Sequence, residues 1–283
     1  MLYPAAAANR SVEEFLDALA ATDRRTIAAR DLAIVVAHPD DETIGCGGQL
    51  NRLEGATIVV VTDGAPRNVN FSGPEGNAAY AGERAYELRR ALAKAEVADR
   101  NIVMLGFSDQ SAALHLADLT RTLYRLAAAR DLHLLLTHAY EGGHPDHDAT
   151  CFAVHLAATL RRLNGEPTQI LEMPLYRAGK GTWLRQTFAP DATLSQRSVR
   201  LSAEARERKQ RMLDIYESQR ATLSPFATDV ESFRRAPSYD FTVLPNGGAL
   251  LYERYDWGMT GARWLALSRD ALRELGFASE PCH

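Results

Sequence analysis

Five apolar, partly β-branched runs mark the first two thirds of the chain: residues 32–37 (LAIVVA), 56–62 (ATIVVVT), 101–107 (NIVMLGF), 132–138 (LHLLLTH) and 169–176 (QILEMPLY). They are apolar throughout rather than alternating, which is the pattern of strands covered on both faces. Between them, residues 44–53, 82–97, 116–130 and 147–163 repeat apolar positions at helical spacing. Strand and helix in alternation predict an α/β fold, with a mainly parallel sheet and helices on both of its faces. Ahead of the first strand, Ser11 and Glu14 form a capping-box pattern before Phe15, Leu16 and Leu19, and predict a short helix.

The C-terminal third is less regular. A long segment with little periodicity runs from Arg177 to Ser198, followed by an amphipathic helix from about Ser202 to Gln219. The stretch DFTVLPNGGALLYERY places two strand-like runs around Asn-Gly-Gly and predicts a small hairpin, and residues 268–276 read as a final capped helix. With no internal repeat or low-complexity linker, the expectation is one domain over residues 1–283. Its core spans about 30–220, with a C-terminal extension over about 221–283.

In an open parallel sheet, ligands bind beyond the carboxyl ends of the strands, at the point where the strand order reverses. The unusual polar residues fall there. The first strand is followed by HPDDE, the second by TDGAPRN, the third by GFSDQ and the fourth by THAYEGGHPDHD. A strand order of 3-2-1-4-5 makes the two HPD loops neighbours across one crevice. His38 and Asp41 are three positions apart, as are His144 and His147, and a proline lies within each pair. Two such pairs on adjacent loops can close around one divalent ion. Imidazole and carboxylate without thiolate suit Zn2+, with Fe2+ or another divalent metal as alternatives, and favour an open catalytic site over a closed structural one. Spacing does not say which three of the four residues ligate. Nor does it say what Asp40 does, although an extra carboxylate beside a metal would be placed to take a proton from metal-bound water; Asp146 is the natural partner of a neighbouring imidazole.

Charge and composition narrow the partners. The 283 residues carry 32 basic and 36 acidic side chains, a formal charge of −4, scattered without a basic arm for nucleic acid or an anionic membrane surface. No apolar run reaches the ~18 residues of a membrane span. The first residues lack the basic region of a signal peptide, and Cys46, Cys151 and Cys282 form no paired spacing, so a reducing, cytoplasmic setting is expected. A small-molecule partner fits this balance, and homo-oligomers are compatible with it.

AHPDDE with the following GCGGQL, and the later HPDHD, resemble the two motifs of the LmbE/PIG-L family of metal-dependent N-acetyl-sugar deacetylases. TDGA, the ERxxEL around Arg84 and Glu87, and KxxxLxxYxSQ from Lys209 to Gln219 resemble weaker blocks of that family. The resemblance covers roughly residues 32–219. It implies a Rossmann-like fold, with His38, Asp41 and His147 as zinc ligands and Asp40 as general base. His144 would be a non-ligand imidazole stabilising the oxyanion, oriented by Asp146. The implied reaction removes an N-acyl group, most simply acetyl, from a glucosamine-type sugar on a small conjugate.

Further candidates follow from position. Pairing with Asp146 is expected to raise the pKa of His144. Arg84 and Arg67 are candidate donors to sugar hydroxyls or a phosphate. Asp63 and His138 end the second and fourth strands, where each could support the site from behind. Tyr140 carries no assigned role, because EGG separates it from the second motif. The segment bearing Trp183 and Arg185 is long enough to cover the crevice. The glycines of GCGGQL suit close helix-to-sheet packing rather than a dinucleotide loop, since an acidic HPDDE follows the strand directly. The rival readings are a metal-dependent phosphoesterase, which would use a second metal ion, and a non-catalytic sugar-binding relative, which would have lost Asp40 or a ligand.

Overall fold

The computed structural model describes residues 11–21, 24–67, 76–191 and 193–277; Cys282 and His283 lie outside them. Helix α1 (Val12–Ala20) starts at the predicted capping box, with the Ser11 side chain accepting from the Glu14 N–H. The predicted strands form as β1 (Leu32–Val36), β2 (Thr57–Pro66), β3 (Ile102–Asp109), β4 (Leu134–His138) and β5 (Gln169–Met173). The helices among them are α2 (Asp41–Cys46), α3 (Gly76–Ala93), α4 (Leu116–Ala129) and α5 (Pro145–Leu163).

After β5 come the short antiparallel pair β6 (Tyr176–Ala178) and β7 (Trp183–Arg185), then β8 (Gln196–Arg200), α6 (Ala203–Ile215), β9 (Val230–Arg235) and α7 (Gly261–Glu274). The seven-stranded central sheet has the order β8-β9-β5-β4-β1-β2-β3. The five strands from β5 to β3 are parallel, in the expected 3-2-1-4-5 arrangement, and β9 runs antiparallel to both β5 and β8. The chain beyond residue 221 therefore returns to the sheet through β9.

Alternate residues of β1 serve opposite faces of the sheet. Leu32, Ile34 and Val36 pack with residues of α1, α3 and α6, whereas Ala33 and Val35 pack with those of α4, α5 and α7. All five residues of β1 are buried, as a strand covered on both sides requires.

Three elements differ from the sequence pattern, the last helix among them, which begins at Gly261, capped by Thr260, rather than at Ser268. The helix expected over 44–53 begins earlier, at Asp41, and ends at Cys46. The glycines serve close packing, since a Cβ on Gly45 would lie 2.3 Å from Met173 Sδ and one on Gly48 would lie 2.3 Å from a Leu201 methyl. The hairpin expected around Asn246 does not form. Asn246, Gly247 and Gly248 all have positive φ and make a single 3-10 turn. The flanking backbone pairs elsewhere, the Leu251 N–H donating to the Gly142 carbonyl, and the Asn246 side-chain amide donates from Nδ2 to the Ala178 carbonyl. Of the apolar residues meant for a hairpin, Phe241, Leu250, Leu251 and Tyr252 are buried in the core instead, whereas Val243 is exposed. Tyr140 lies in that layer too, donating to the Val243 carbonyl and accepting from the indole N–H of buried Trp264.

Candidate metal centre

The site forms where β1 and β4 end side by side. Their parallel register sets Leu32 level with Leu134 and Ile34 level with Leu136, so the loops after Val36 and His138 leave the sheet together. One loop enters α2 and the other enters α5, which bring acidic side chains to helix N-termini, where the helix dipole favours them.

Three donor atoms meet between the loops. His38 Nδ1 lies 3.3 Å from Asp41 Oδ2 and 3.3 Å from His147 Nε2, and His147 Nε2 lies 3.3 Å from the same carboxylate oxygen. A tetrahedral zinc with bonds of about 2.0–2.1 Å has edges of about 3.3–3.4 Å between its donors. The triangle therefore has the spacing of one face of such a site. Two imidazole nitrogens and a carboxylate oxygen, all buried, also have the donor chemistry of that metal. Burial opposes charge on Asp41, yet His147, His38 and His138 hold its carboxyl well below the usual range.

Asp40 lies beside this triangle in an unusual backbone conformation, with φ 136° and ψ −26°. A non-glycine residue holds such a conformation only when its surroundings over-determine it. Here the Asp40 N–H donates to Glu42 Oε2, its carbonyl accepts from the Thr43 and Ile44 N–H groups, and its Oδ2 accepts from Arg84 Nη2 at 2.9 Å. Burial raises the Asp40 pKa to about 7, against the lowering influence of the Arg84 guanidinium.

Arg84 is thus turned inward. Its Nη2 is shared between Asp40 and the Pro39 carbonyl and its Nη1 donates to Ser218 Oγ, while the side chain lines the cavity. Arg67 is exposed at the end of β2 and is not among the residues lining the cavity. The structure brings Arg84, but not Arg67, to the site.

The orientation of His144 differs from the expected one. Its Nδ1 accepts from the Asp146 backbone N–H at 3.1 Å, which leaves the ring proton on Nε2 when the imidazole is neutral. The Asp146 carboxylate turns away, accepting from the Gln110 and Ala112 N–H groups and facing His38 Nε2 at 3.4 Å. Burial and the neighbouring His38 push the His144 pKa well below its ordinary value, the reverse of the rise expected from pairing with Asp146.

Asp63 and His138 support the loops. Asp63 Oδ1 accepts from the Ala65 N–H, closing a turn, and from the Asp109 N–H. His138 Nε2 accepts from the Ala37 N–H at 2.8 Å, and its ring stacks on His147 with centroids 4.2 Å apart.

Asp109, given no role from sequence, lies 3.1 Å from His38 Nε2 through its Oδ1. With Nδ1 turned to the donor triangle, His38 donates its other ring proton to that carboxylate. Burial would lower the His38 pKa, but Asp109, Asp146 and Asp41 together raise it well above the ordinary value. Glu42 is likewise tied down, accepting from Tyr216 Oη at 2.7 Å and from the Thr43 hydroxyl.

Above the donors opens a cavity of about 220 Å3, lined on its polar side by His38, Asp40, Asp41, Asp109 and His144. Tyr176, Trp183, Phe226 and Trp257 line it as well.

Comparison with known proteins bears on the fold. Residues 33–158 match the PIG-L family, described as GlcNAc-PI de-N-acetylase, so the chain carries a domain of the LmbE/PIG-L type. No protein of curated function matches it in sequence. Among solved structures, it is similar to a zinc-inhibited form of the teicoplanin deacetylase Orf2, at 18% identity and TM-score 0.55, covering 74% of this chain and 99% of that one. The A40926 pseudoaglycone deacetylase Dbv21 is similar at 20% identity and TM-score 0.55, over 74% and 98% of the two chains. The N,N'-diacetylchitobiose deacetylase from Pyrococcus horikoshii follows at 18% identity and TM-score 0.53, over 81% and 94%. At these identities the likeness establishes a shared fold.

Proposed function

We propose that the chain is a metal-dependent hydrolase that removes an N-acyl group, in the simplest case acetyl, from a glucosamine-type sugar on a small conjugate. Its metal would be Zn2+, with Fe2+ or another divalent ion as substitute, and its setting cytoplasmic. The observation that carries this reading is the donor triangle of His38, Asp41 and His147, with Asp40 lining the same cavity as His38 and Asp41.

His38 Nδ1, Asp41 Oδ2 and His147 Nε2 would hold the cation, which supplies Lewis-acid polarisation of the amide carbonyl and lowers the pKa of water. Asp40, with a pKa near neutrality, accepts the proton of the attacking water. Neutral His144 donates its Nε2–H to the oxygen that becomes negative as water adds to the carbonyl carbon. The carbon–nitrogen bond then breaks, and Asp40 returns its proton to the departing amine, releasing acetate and an amino sugar. Arg84 keeps Asp40 in place throughout.

The test is to incubate zinc-loaded protein with a panel of N-acetylglucosamine conjugates and assay free acetate together with new primary amine. Asp40→Asn is expected to lower turnover by about 10²–10⁴-fold while the protein still binds one zinc. Full turnover in that variant would remove Asp40 from the role of base.

The phosphoesterase reading draws on one further feature, the second group of donors formed by His38, Asp109, His144 and Asp146. Two of its members are already engaged, because the Asp146 carboxylate accepts two backbone N–H groups and His144 Nδ1 accepts a third. Two metal ions per chain would favour that rival, and one favours the deacylase. The presence of Asp40 and all three donors argues against a purely sugar-binding relative.

A further inference from the structure

The cavity has an aromatic side that comes largely from chain beyond the matched family segment. Starting at His147, ring follows ring. Tyr176 lies 4.9 Å from His147 and stacks on Trp183 at 5.1 Å, Trp183 meets Tyr255 edge-on at 6.0 Å, and Tyr255 stacks on Trp257 at 4.7 Å. Trp257 closes the arc at 4.6 Å from His144. The indole N–H of Trp183 donates to Tyr255 Oη at 3.1 Å, which ties the β6–β7 pair to the C-terminal segment. This arc joins two histidines of the reaction centre through side chains that the chemistry itself does not need.

The charges around the cavity complete the picture. Asp40, Asp41 and Asp109 line it, and apart from the imidazoles of His38 and His144 its sole basic lining residue among the described residues is Arg84. The Arg84 guanidinium is 2% exposed and engaged by Asp40. Arg185 lies over the ring of Trp183 at 5.3 Å but is not a lining residue. Away from the metal donors, a phosphate brought into this cavity would meet carboxylates and find no lysine or arginine, among the described lining residues, that faces solvent and could offset its desolvation. A neutral ring meets indole and phenol faces that bury apolar area without a charge penalty.

We infer that the group attached to the amino sugar is uncharged and carries a ring whose apolar face lies along Trp183 and Trp257. It is a neutral second sugar or an aryl group, and not a phosphate. This rests on the deacetylase reading of the same site and extends it to substrate class.

The experiment uses the full chain and four probes: N,N'-diacetylchitobiose, phenyl N-acetylglucosaminide, methyl N-acetylglucosaminide and N-acetylglucosamine 1-phosphate. Binding to metal-free protein is followed by tryptophan emission. Of the three tryptophans, Trp264 is fully buried, so Trp183 and Trp257 report on the cavity. At least one ring-bearing probe is expected to bind about tenfold or more tighter than the methyl glycoside, a margin of about 1.4 kcal/mol. The phosphate is expected to bind no tighter than the methyl glycoside. Comparing the disaccharide with the phenyl glycoside tells a sugar from an aryl group.

Trp183→Ala and Trp257→Ala should each cut the ring-to-methyl ratio to about threefold or less, while Trp183→Phe and Trp257→Phe retain most of it. A ratio near one in the unmodified protein, or tighter binding of the phosphate, overturns the inference. Acetate release from the same probes by zinc-loaded protein separates the two claims. Ring preference in binding with no acetate from any probe defeats the deacetylase reading alone. Acetate from the methyl glycoside with no gain from a ring defeats the inference alone.

Discussion

Arg84 donates from Nη2 to Asp40 Oδ2 at 2.9 Å, and both side chains are almost wholly buried. Burial alone would drive the Asp40 carboxyl far above its ordinary pKa, and the guanidinium opposes that, leaving it at about 7. The pair therefore sets the pH at which Asp40 can accept a proton.

Removing the cation should raise the Asp40 pKa further. Because the base works deprotonated, kcat/KM rises with pH through this pKa, and in Arg84→Met the rise should move to higher pH by about one unit or more. Arg84→Lys keeps the charge but loses the planar fork, and should fall between the two. A bound cation lowers the pKa in every form without changing their order. The check is the kcat/KM profile from about pH 5 to about pH 10, and an unshifted rise in Arg84→Met would show that Arg84 does not govern Asp40.

Much of this site is legible in the sequence because its donors come in local pairs. His38 with Asp41, and His144 with His147, sit three positions apart directly behind strands, and the alternation of elements indicates a parallel sheet whose strand ends carry the site. Asp109 carries no such signal, since it is one acid at the end of β3 and its partner His38 is 71 positions away. Nor does spacing reveal which face of His144 meets Asp146, because a backbone N–H takes the role expected of the carboxylate. The weaker blocks acquire their meaning only in three dimensions. Lys209 reaches the Ile44 carbonyl, Tyr216 reaches Glu42, Ser218 reaches Glu87 and Gln219 reaches Tyr80, so the late block braces α2 and α3. The false hairpin has the opposite cause. Its Asn-Gly-Gly composition suits a turn, but the Gly142 carbonyl takes the Leu251 N–H that a strand partner would have taken.

Asp109 provides a second test. A carboxylate accepting the far ring proton of a metal-binding histidine fixes the ring and raises its basicity, and losing such a partner typically costs 10–100-fold in metal affinity. Asp109→Ala should weaken zinc binding by about that factor, as measured by competition with a chromophoric chelator, and Asp109→Asn should recover part of it. Unchanged affinity in both would mean that Asp109 does not act through His38.

The brace behind α2 can be tested apart from chemistry. Lys209 Nζ donates to Glu231 Oε1 and to the Ile44 carbonyl, each at 2.8 Å, and neither side chain of the pair is exposed. Glu231 Oε1 also accepts from the Gly48 N–H, so one carboxylate joins α6, β9 and the chain leaving α2. Breaking a buried pair by removing one partner leaves an uncompensated charge and typically costs about 3–5 kcal/mol, whereas replacing both with apolar residues of similar volume is often neutral. Lys209→Ala should therefore lower the free energy of unfolding in urea by about that amount, and Lys209→Met with Glu231→Leu should lose markedly less than the sum of the single changes. The Gly48 N–H keeps the double variant from being free of cost, since it loses its acceptor. A loss below about 1 kcal/mol in Lys209→Ala, the scale of an exposed ion pair, would mean that water reaches the pair and that α2 is held by its apolar packing alone.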